Sequence, residues 1–214
     1  MIRKKSHYIQ DLILEGEHEH QDFKYQITDA RKIARSIAAF ANNSGGHLLI
    51  GVKDNGNIAG VRSEEEIYMI ETAAQMYCRP EQKVSFKVFN INGKSVVKAD
   101  IAEAQEKPVE APDDNGNWHV YYRVADENVL ASRLHERIMS VEAGETPTAR
   151  TISYSEREQV LLDYLRSHGG ITLDGYMKLA HISEESATKI VVALHSMGVL
   201  SLQYHDGQCL IIAN

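Results

Sequence analysis

The stretch Ala39-Phe40-Ala41-Asn42-Asn43-Ser44-Gly45-Gly46-His47-Leu48-Leu49-Ile50-Gly51-Val52-Lys53-Asp54 joins the end of one regular element to the start of another. Before it, Asp29 to Asn43 carries Ile33, Ile37, Phe40 and Ala41 at helical spacing, which predicts an amphipathic helix. Gly45 and Gly46 end that helix, because glycine enters the positive-φ region of a helix C-terminus without a Cβ clash. His47 to Asp54 is almost unbroken in apolar character, as befits a central strand covered on both faces. Asp54-Asn55-Gly56-Asn57 then signals a tight turn.

Outward from this stretch, His20 to Gln26 reads as a short strand. A second helix is expected from Ser63, in a capping-box pattern with Glu66, with Ile67, Ile70, Ala74 and Tyr77 turned inward. Val84, Phe86 and Val88 alternate along a strand, and Asn92-Gly93 turns the chain into another strand, Val96 to Ile101. Trp118 to Val124 predicts a further strand and Leu130 to Val141 a closing helix. The order is βαβαββ with additions: an α+β class, a sheet with helices packed on it.

The C-terminal part has a different rhythm. Ser155 and Glu158 form a capping box ahead of a helix bearing Val160, Leu161, Tyr164 and Leu165, and Gly169-Gly170 closes it. Thr172 to Ala180 and Ser183 to Met197 are two more helices, the last burying Ala187, Ile190, Val191 and Leu194. Gly198 to Leu202 and Gln208 to Ile212 make a hairpin. Three helices and a hairpin are the winged-helix arrangement. Val141 to Arg150, with Gly144, Pro147 and no periodicity, reads as a linker. The expected division is therefore residues 1–142, a linker 143–153, and a small winged helix-turn-helix domain 154–214.

At 214 residues, 43% hydrophobic and 25% charged, the chain is ordinary globular material. No stretch approaches the roughly 20 apolar residues of a membrane-spanning helix. The basic N-terminus is not followed by a signal-type apolar segment, and Cys78 and Cys209 lie far apart without metal spacing. These features lead to the expectation of a cytoplasmic protein with reduced thiols. The net charge of −7 runs against broad phosphate neutralisation. Local basic groups remain: Arg3, Lys4 and Lys5, and the set Lys24, Arg31, Lys32 and Arg35.

Glu17, then Asp22-Phe23-Lys24, the Ala39 to Gly46 run, Leu49 to Gly56 and Gly60-Val61 together resemble the Schlafen AlbA-like family, a divergent group once labelled ATP-binding. The resemblance continues more weakly through Lys107-Pro108 and Tyr121-Tyr122-Arg123 to about residue 140. It implies an AlbA-like mixed sheet, nucleic-acid association and, in some members, a metal-dependent nuclease that cuts structured RNA with three acids. Those acids correspond here to Glu17, Asp22 and Asp54, and the metal to Mg²⁺ or Mn²⁺; the second acid is usually Glu. Hard divalent cations take oxygen ligands and activate a phosphodiester, so the chemistry suits carboxylates, with Lys24 beside a phosphate oxygen. The family's strand-end arginine matches Arg123, which would face a phosphate. Taken as ordinary residues, Glu17 is a surface acid, Asp22 a strand-edge residue and Asp54 the start of an Asn-Gly turn.

The glycines do not form a phosphate loop. They follow a helix and precede a strand, the wrong polarity for a helix N-terminus to hold an anion. His18 and His20 share a strand face without the further ligands zinc requires. Trp118, Tyr121 and Tyr122 suit core packing better than base stacking. In the winged helix, Ser183, Glu184, Glu185, Ser186, Thr188 and Lys189 occupy the reading position. Residues 151–214 hold 4 Lys and Arg against 7 Asp and Glu, which weakens that role. The expected function is nucleic-acid binding of a transcription-regulator type, DNA or RNA being open, with no membrane contact and no certain cofactor. A divalent-metal ribonuclease, and an ATP-binding or protein-interaction regulator, are the alternatives. The resemblance further implies a homodimer.

Overall fold

The computed structural model describes residues 2–144, 155–205 and 207–214. It divides into two compact units, Met1–Leu130 and Ala131–Asn214. The expected linker falls largely at 145–154, outside the described residues, as do the side chains of Arg3, Lys4 and Lys5.

The first unit runs α1 (Ile2–Glu15), β1 (Gln21–Lys24), α2 (Ala30–Asn42), β2 (Gly46–Ile50), α3 (Glu65–Met76), β3 (Val84–Ile91), β4 (Lys94–Ile101), β5 (Glu110–Pro112), β6 (Trp118–Val124) and β7 (Glu127–Leu130). A four-stranded mixed sheet has the order β1-β2-β4-β3, with β1 and β2 parallel and the other pairs antiparallel. Period-two alternation explains the unbroken apolar run in β2. Leu48 and Ile50 face a core shared with Ile37 and Phe40 of α2 and Ile70 of α3. Leu49 faces the opposite side, in a second core with Ile9 of α1 and Phe23 of β1. A helix therefore covers each face of the sheet. A separate three-stranded sheet, β5-β6-β7, packs along α2.

Asp29 caps α2, accepting the backbone N–H of Arg31 at 2.9 Å. At its other end Gly45 has φ +79, and a Cβ there would lie 2.8 Å from the carbonyl oxygen of Ile101. Position 45 thus demands glycine both for conformation and for the close approach of β4's end. Asn92 and Gly93 both adopt positive φ in the β3–β4 turn, the geometry a two-residue hairpin prefers.

Several expectations need correction. Helix α1 has no counterpart in the sequence reading. No capping box forms at Ser63: α3 starts at Glu65, and Glu66 is buried, accepting N–H groups from Ile27 at 2.9 Å and Arg62 at 3.0 Å. Val84, Phe86 and Val88 do alternate along β3, but Val88 is 60% exposed, and on the other face Phe89 and Ile91 turn into the α1 core. The strand from His47 ends at Ile50 rather than Asp54, because Gly51 leaves extended geometry at φ +88.

The second unit runs α4 (Arg133–Glu142), α5 (Glu156–His168), β8 (Gly170–Ile171), α6 (Leu173–Ala180), α7 (Glu184–Ser196), β9 (Leu200–His205) and β10 (Gln208–Ala213). Its antiparallel sheet has the order β8-β10-β9. The Ser155–Glu158 capping box opens α5, and Thr172 and Ser183 cap α6 and α7. Helix α4 does not close the first domain as its position in the sequence suggests. Leu134 and Ile138 instead share a core with Leu161, Tyr176, Val191 and Ile211, so the boundary precedes α4.

Candidate functional site

β1 is where the first unit concentrates its polar chemistry. Phe23 points into the α1 core, so Asp22 and Lys24 lie on the opposite face. Gln21, on the Phe23 side, caps the C-terminus of α1: its Nε2 donates to the carbonyl oxygens of Leu12 and Gly16, both at 2.6 Å. That leaves its Oε1 to accept from His47 Nε2 at 2.7 Å, which assigns the imidazole proton to Nε2. Burial pushes the His47 pKa down to about 4, so the ring is neutral.

Asp22 is 4% exposed and lies between two cations. Lys24 Nζ is 2.7 Å away and Arg123 Nη1 is 3.7 Å away. Arg123 is itself 3% exposed. Its Nη2 donates to the carbonyl oxygen of His18 at 3.0 Å and its Nη1 to Asn128 Oδ1 at 3.1 Å, with the Phe40 ring centroid 4.8 Å from the guanidinium carbon. Glu17 accepts the Phe23 N–H at 2.8 Å. Burial pushes the Glu17 pKa up to about 7, and the adjoining Asp22 carboxylate adds to the rise.

The two asparagines at the end of α2 bind this cluster to β6. Asn42 Nδ2 donates to the carbonyl oxygens of Val109 at 2.8 Å and Tyr121 at 2.7 Å, and its Oδ1 accepts the Val109 N–H at 2.7 Å. Asn43 exchanges two 3.0 Å hydrogen bonds with the Arg123 backbone and donates to Glu19 at 2.8 Å. Lys107 Nζ donates to the Asn43 carbonyl oxygen at 3.1 Å. The Asn-Asn-Ser-Gly-Gly run is thus a brace, and its residues satisfy backbone groups that burial would otherwise strand.

The anticipated acids do not meet as one group. Glu17 and Asp22 adjoin, whereas Asp54 is exposed on the loop beyond β2. Among the described residues no group of three or more His, Cys, Asp or Glu side chains is placed to hold a metal ion. Asp22, already neutralised by two cations, offers a divalent ion little, so this donor set does not fit Mg²⁺ or Mn²⁺ as arranged. Arg123, expected to face a phosphate, is buried with its guanidinium 3.7 Å from Asp22. Lys24 pairs with Asp22, and Arg35 is held by Asp114 at 2.7 Å and the Pro112 carbonyl oxygen at 2.9 Å. Arg31 and Lys32 are exposed, with Arg31 5.7 Å from the Tyr77 ring centroid. His20 Nδ1 lies 3.0 Å from the Gly45 carbonyl oxygen, and His18 Nδ1 accepts the His20 N–H at 3.2 Å. Tyr121 and Tyr122 are buried, and the Trp118 ring lies 3.6 Å from the Arg79 guanidinium carbon. In α7, Thr188 is half-buried and Lys189 pairs with Glu185 at 2.6 Å.

One constellation escapes the sequence reading. Tyr25, directly after β1, is 38% exposed, with Lys53 Nζ 5.4 Å and the Arg62 guanidinium carbon 5.5 Å from its ring centroid. The three residues lie on three separate segments, so no motif announces them; an aromatic residue just past a charged strand end is the sole linear cue.

A family model, Schlafen, AlbA_2, matches residues 17–132, more than half of the chain. The chain belongs to this Schlafen AlbA_2 family. The match ends beside the boundary between the two units. No curated protein matches the chain. Among solved structures it is similar to the DIP2311 protein from Corynebacterium diphtheriae, at 21% identity and TM-score 0.49, over 90% of this chain and 37% of that one. It is also similar to the N-terminal domain of a RecG-related protein from Nitrosomonas europaea, at 15% identity and TM-score 0.41, over 60% of this chain and 95% of that one. The chain thus spans little more than a third of the Corynebacterium protein's length. No described helix of this Schlafen AlbA_2 chain is long and apolar enough to cross a membrane.

Proposed function

We propose that this Schlafen AlbA_2 protein binds nucleic acid in a regulatory role, with its second unit acting as a winged helix-turn-helix. The observation that carries this reading is the order α5-β8-α6-α7-β9-β10 with its β8-β10-β9 sheet, joined in one chain to a Schlafen AlbA_2 domain. That order is the one in which a third helix and a hairpin wing meet a duplex. Thr188 and Lys189 of α7 would be the contacting residues, and Glu184 and Glu185 at its start, which disfavour phosphate, point to modest affinity. Exposed Arg31 and Lys32 of the first unit would add phosphate contacts, and the protein would act as a homodimer.

Fluorescence anisotropy with labelled duplex DNA, single-stranded DNA and RNA tests the proposal across a salt series. Affinity should fall as salt rises, because bound cations release counterions from phosphate. Absence of binding to all three even at low salt removes it. Incubating structured RNA with the protein and Mn²⁺ tests the ribonuclease alternative. Intact RNA is the expected result, given the paired Asp22 and the outlying Asp54.

A further inference from the structure

We infer that Tyr25, between Lys53 and Arg62, is a contact point for single-stranded nucleic acid on the first unit. The inference rests on the nucleic-acid reading above and gives the first unit a site of its own. Lys24, Arg35, Lys98 and Lys107 are all consumed by carboxylates of the same unit. Among the described residues Lys53 and Arg62 form no ion pair, and both are exposed.

The backbone holds them in place. Gly51 N–H donates to the Lys24 carbonyl oxygen at 2.8 Å, extending the β1–β2 pairing to the residue beside Tyr25. The Gly51 carbonyl oxygen then accepts from Ala59 at 2.8 Å and Gly60 at 2.9 Å, folding the loop back on itself. A Cβ at Gly51 would lie 2.8 Å from the Gly60 carbonyl carbon, so the fold-back requires glycine. Lys53 N–H is fixed to the Asn57 carbonyl oxygen at 3.0 Å and Val61 N–H to that of Ser95 at 2.7 Å. Both cations therefore leave braced backbone.

Arg62 Nη2 donates to the Tyr25 hydroxyl at 2.7 Å, so the guanidinium sits toward the hydroxyl end of the ring. Both cations lie over the ring at long cation–π range, Lys53 Nζ 5.4 Å and the Arg62 guanidinium carbon 5.5 Å from its centroid, a weak attraction at an exposed site. An exposed ring oriented by one hydrogen bond, beside two cations that no carboxylate neutralises among the described residues, suits a nucleotide: the base displaces the weak ring contacts and the phosphates meet Lys53 and Arg62. Stacking uses the face of a base, which a duplex hides between neighbouring pairs, so a single strand is the fitting partner. Asp54, Glu64 and Glu65 adjoin the two cations in sequence and oppose a strand of negative charge, which makes the site salt-sensitive.

The test uses the whole chain with fluorescein-labelled oligouridylate, oligothymidylate and a duplex of mixed sequence. Tyr25→Leu should weaken single-strand binding on the order of 10-fold, and Tyr25→Phe, which keeps the ring but loses the Arg62 hydrogen bond, should lose clearly less. Lys53→Ala combined with Arg62→Ala should flatten the salt dependence by about 0.7 in log–log slope for each phosphate no longer neutralised. Urea unfolding of each variant should match the parent, as all three side chains are exposed. Unchanged single-strand binding by Tyr25→Leu, or equal losses for the Leu and Phe variants, overturns the site. If the parent binds duplex alone, the site is likewise refuted while the nucleic-acid function survives. If the parent binds no nucleic acid, both fail. Comparing the two oligonucleotides separates RNA from DNA preference.

Discussion

Arg123 and Arg62 are both arginines beside an aromatic ring in the first unit, and their surroundings give them opposite work. Arg123 is 3% exposed, stands over Phe40 and donates to His18 and Asn128 beside Asp22. Arg62 is exposed beside Tyr25, holding one phenol oxygen and no carboxylate. A buried charge with fixed partners is part of the architecture, because removing one member strands the others. An exposed charge whose neighbours leave it unpaired costs the fold little and remains open to a ligand. The residue that family resemblance placed at a phosphate is the buried one, and the residue left open comes from the loop after β2.

The strongest attempt to break this contrast is Arg123→Met. It should destabilise the first unit by about 3–5 kcal/mol in urea unfolding, because buried Asp22 loses a counter-charge, Asn128 Oδ1 loses the Arg123 donor and the His18 carbonyl oxygen keeps only the Gln21 N–H. Arg62→Met should change stability by no more than about 0.5 kcal/mol. Equal losses would collapse the distinction. Next comes Asn42→Leu, which leaves the Val109 N–H and two carbonyl oxygens buried without partners. A loss of about 2–3 kcal/mol is expected, measured the same way.

Glu17 gives a smaller, pH-dependent effect. Its pKa is about 7 in the folded protein against about 4.5 in the unfolded chain, so the fold favours the protonated form. That stabilisation is complete below pH 4.5 and is lost as pH rises through about 7. Glu17→Gln should therefore be more stable than the parent above pH 7, by about 1 kcal/mol once solvent screening is allowed for. Below pH 4.5 the two should melt alike. His47 acts in the other direction: its neutral form is favoured, so its stabilisation is present above pH 6.5 and fades toward pH 4. Because both proteins contain it, the difference between their melting curves isolates Glu17. The smallest effect on stability belongs to Tyr25→Leu, whose melting temperature should match the parent's even as single-strand binding falls.

Much of the local structure was legible because local physics produced it. The capping box at Ser155, the helices expected from Asp29, Thr172 and Ser183, the Asn92-Gly93 turn and the strand Trp118–Val124 follow from spacing and turn chemistry within a few residues. Ser63–Glu66 carries the same capping signal, yet Glu66 is drawn inward by the N–H groups of Ile27 and Arg62, one of them 39 residues away in sequence. Helix α1 has a short apolar stripe, Ile9, Leu12 and Ile13, and acquires its role from the second face of the sheet.

By itself, then, the sequence determined the family domain, the order of most helices and strands, and the residues whose conformation or capping depends on near neighbours. Tertiary structure alone decided which charges are committed and which are free. It buried Arg123 against Asp22, kept Asp54 apart from Glu17, moved α4 into the second unit and gathered Tyr25, Lys53 and Arg62. The physical reason is range: caps and turns close within a few residues, whereas a charge's partners are set by strand pairing and by what packs over it.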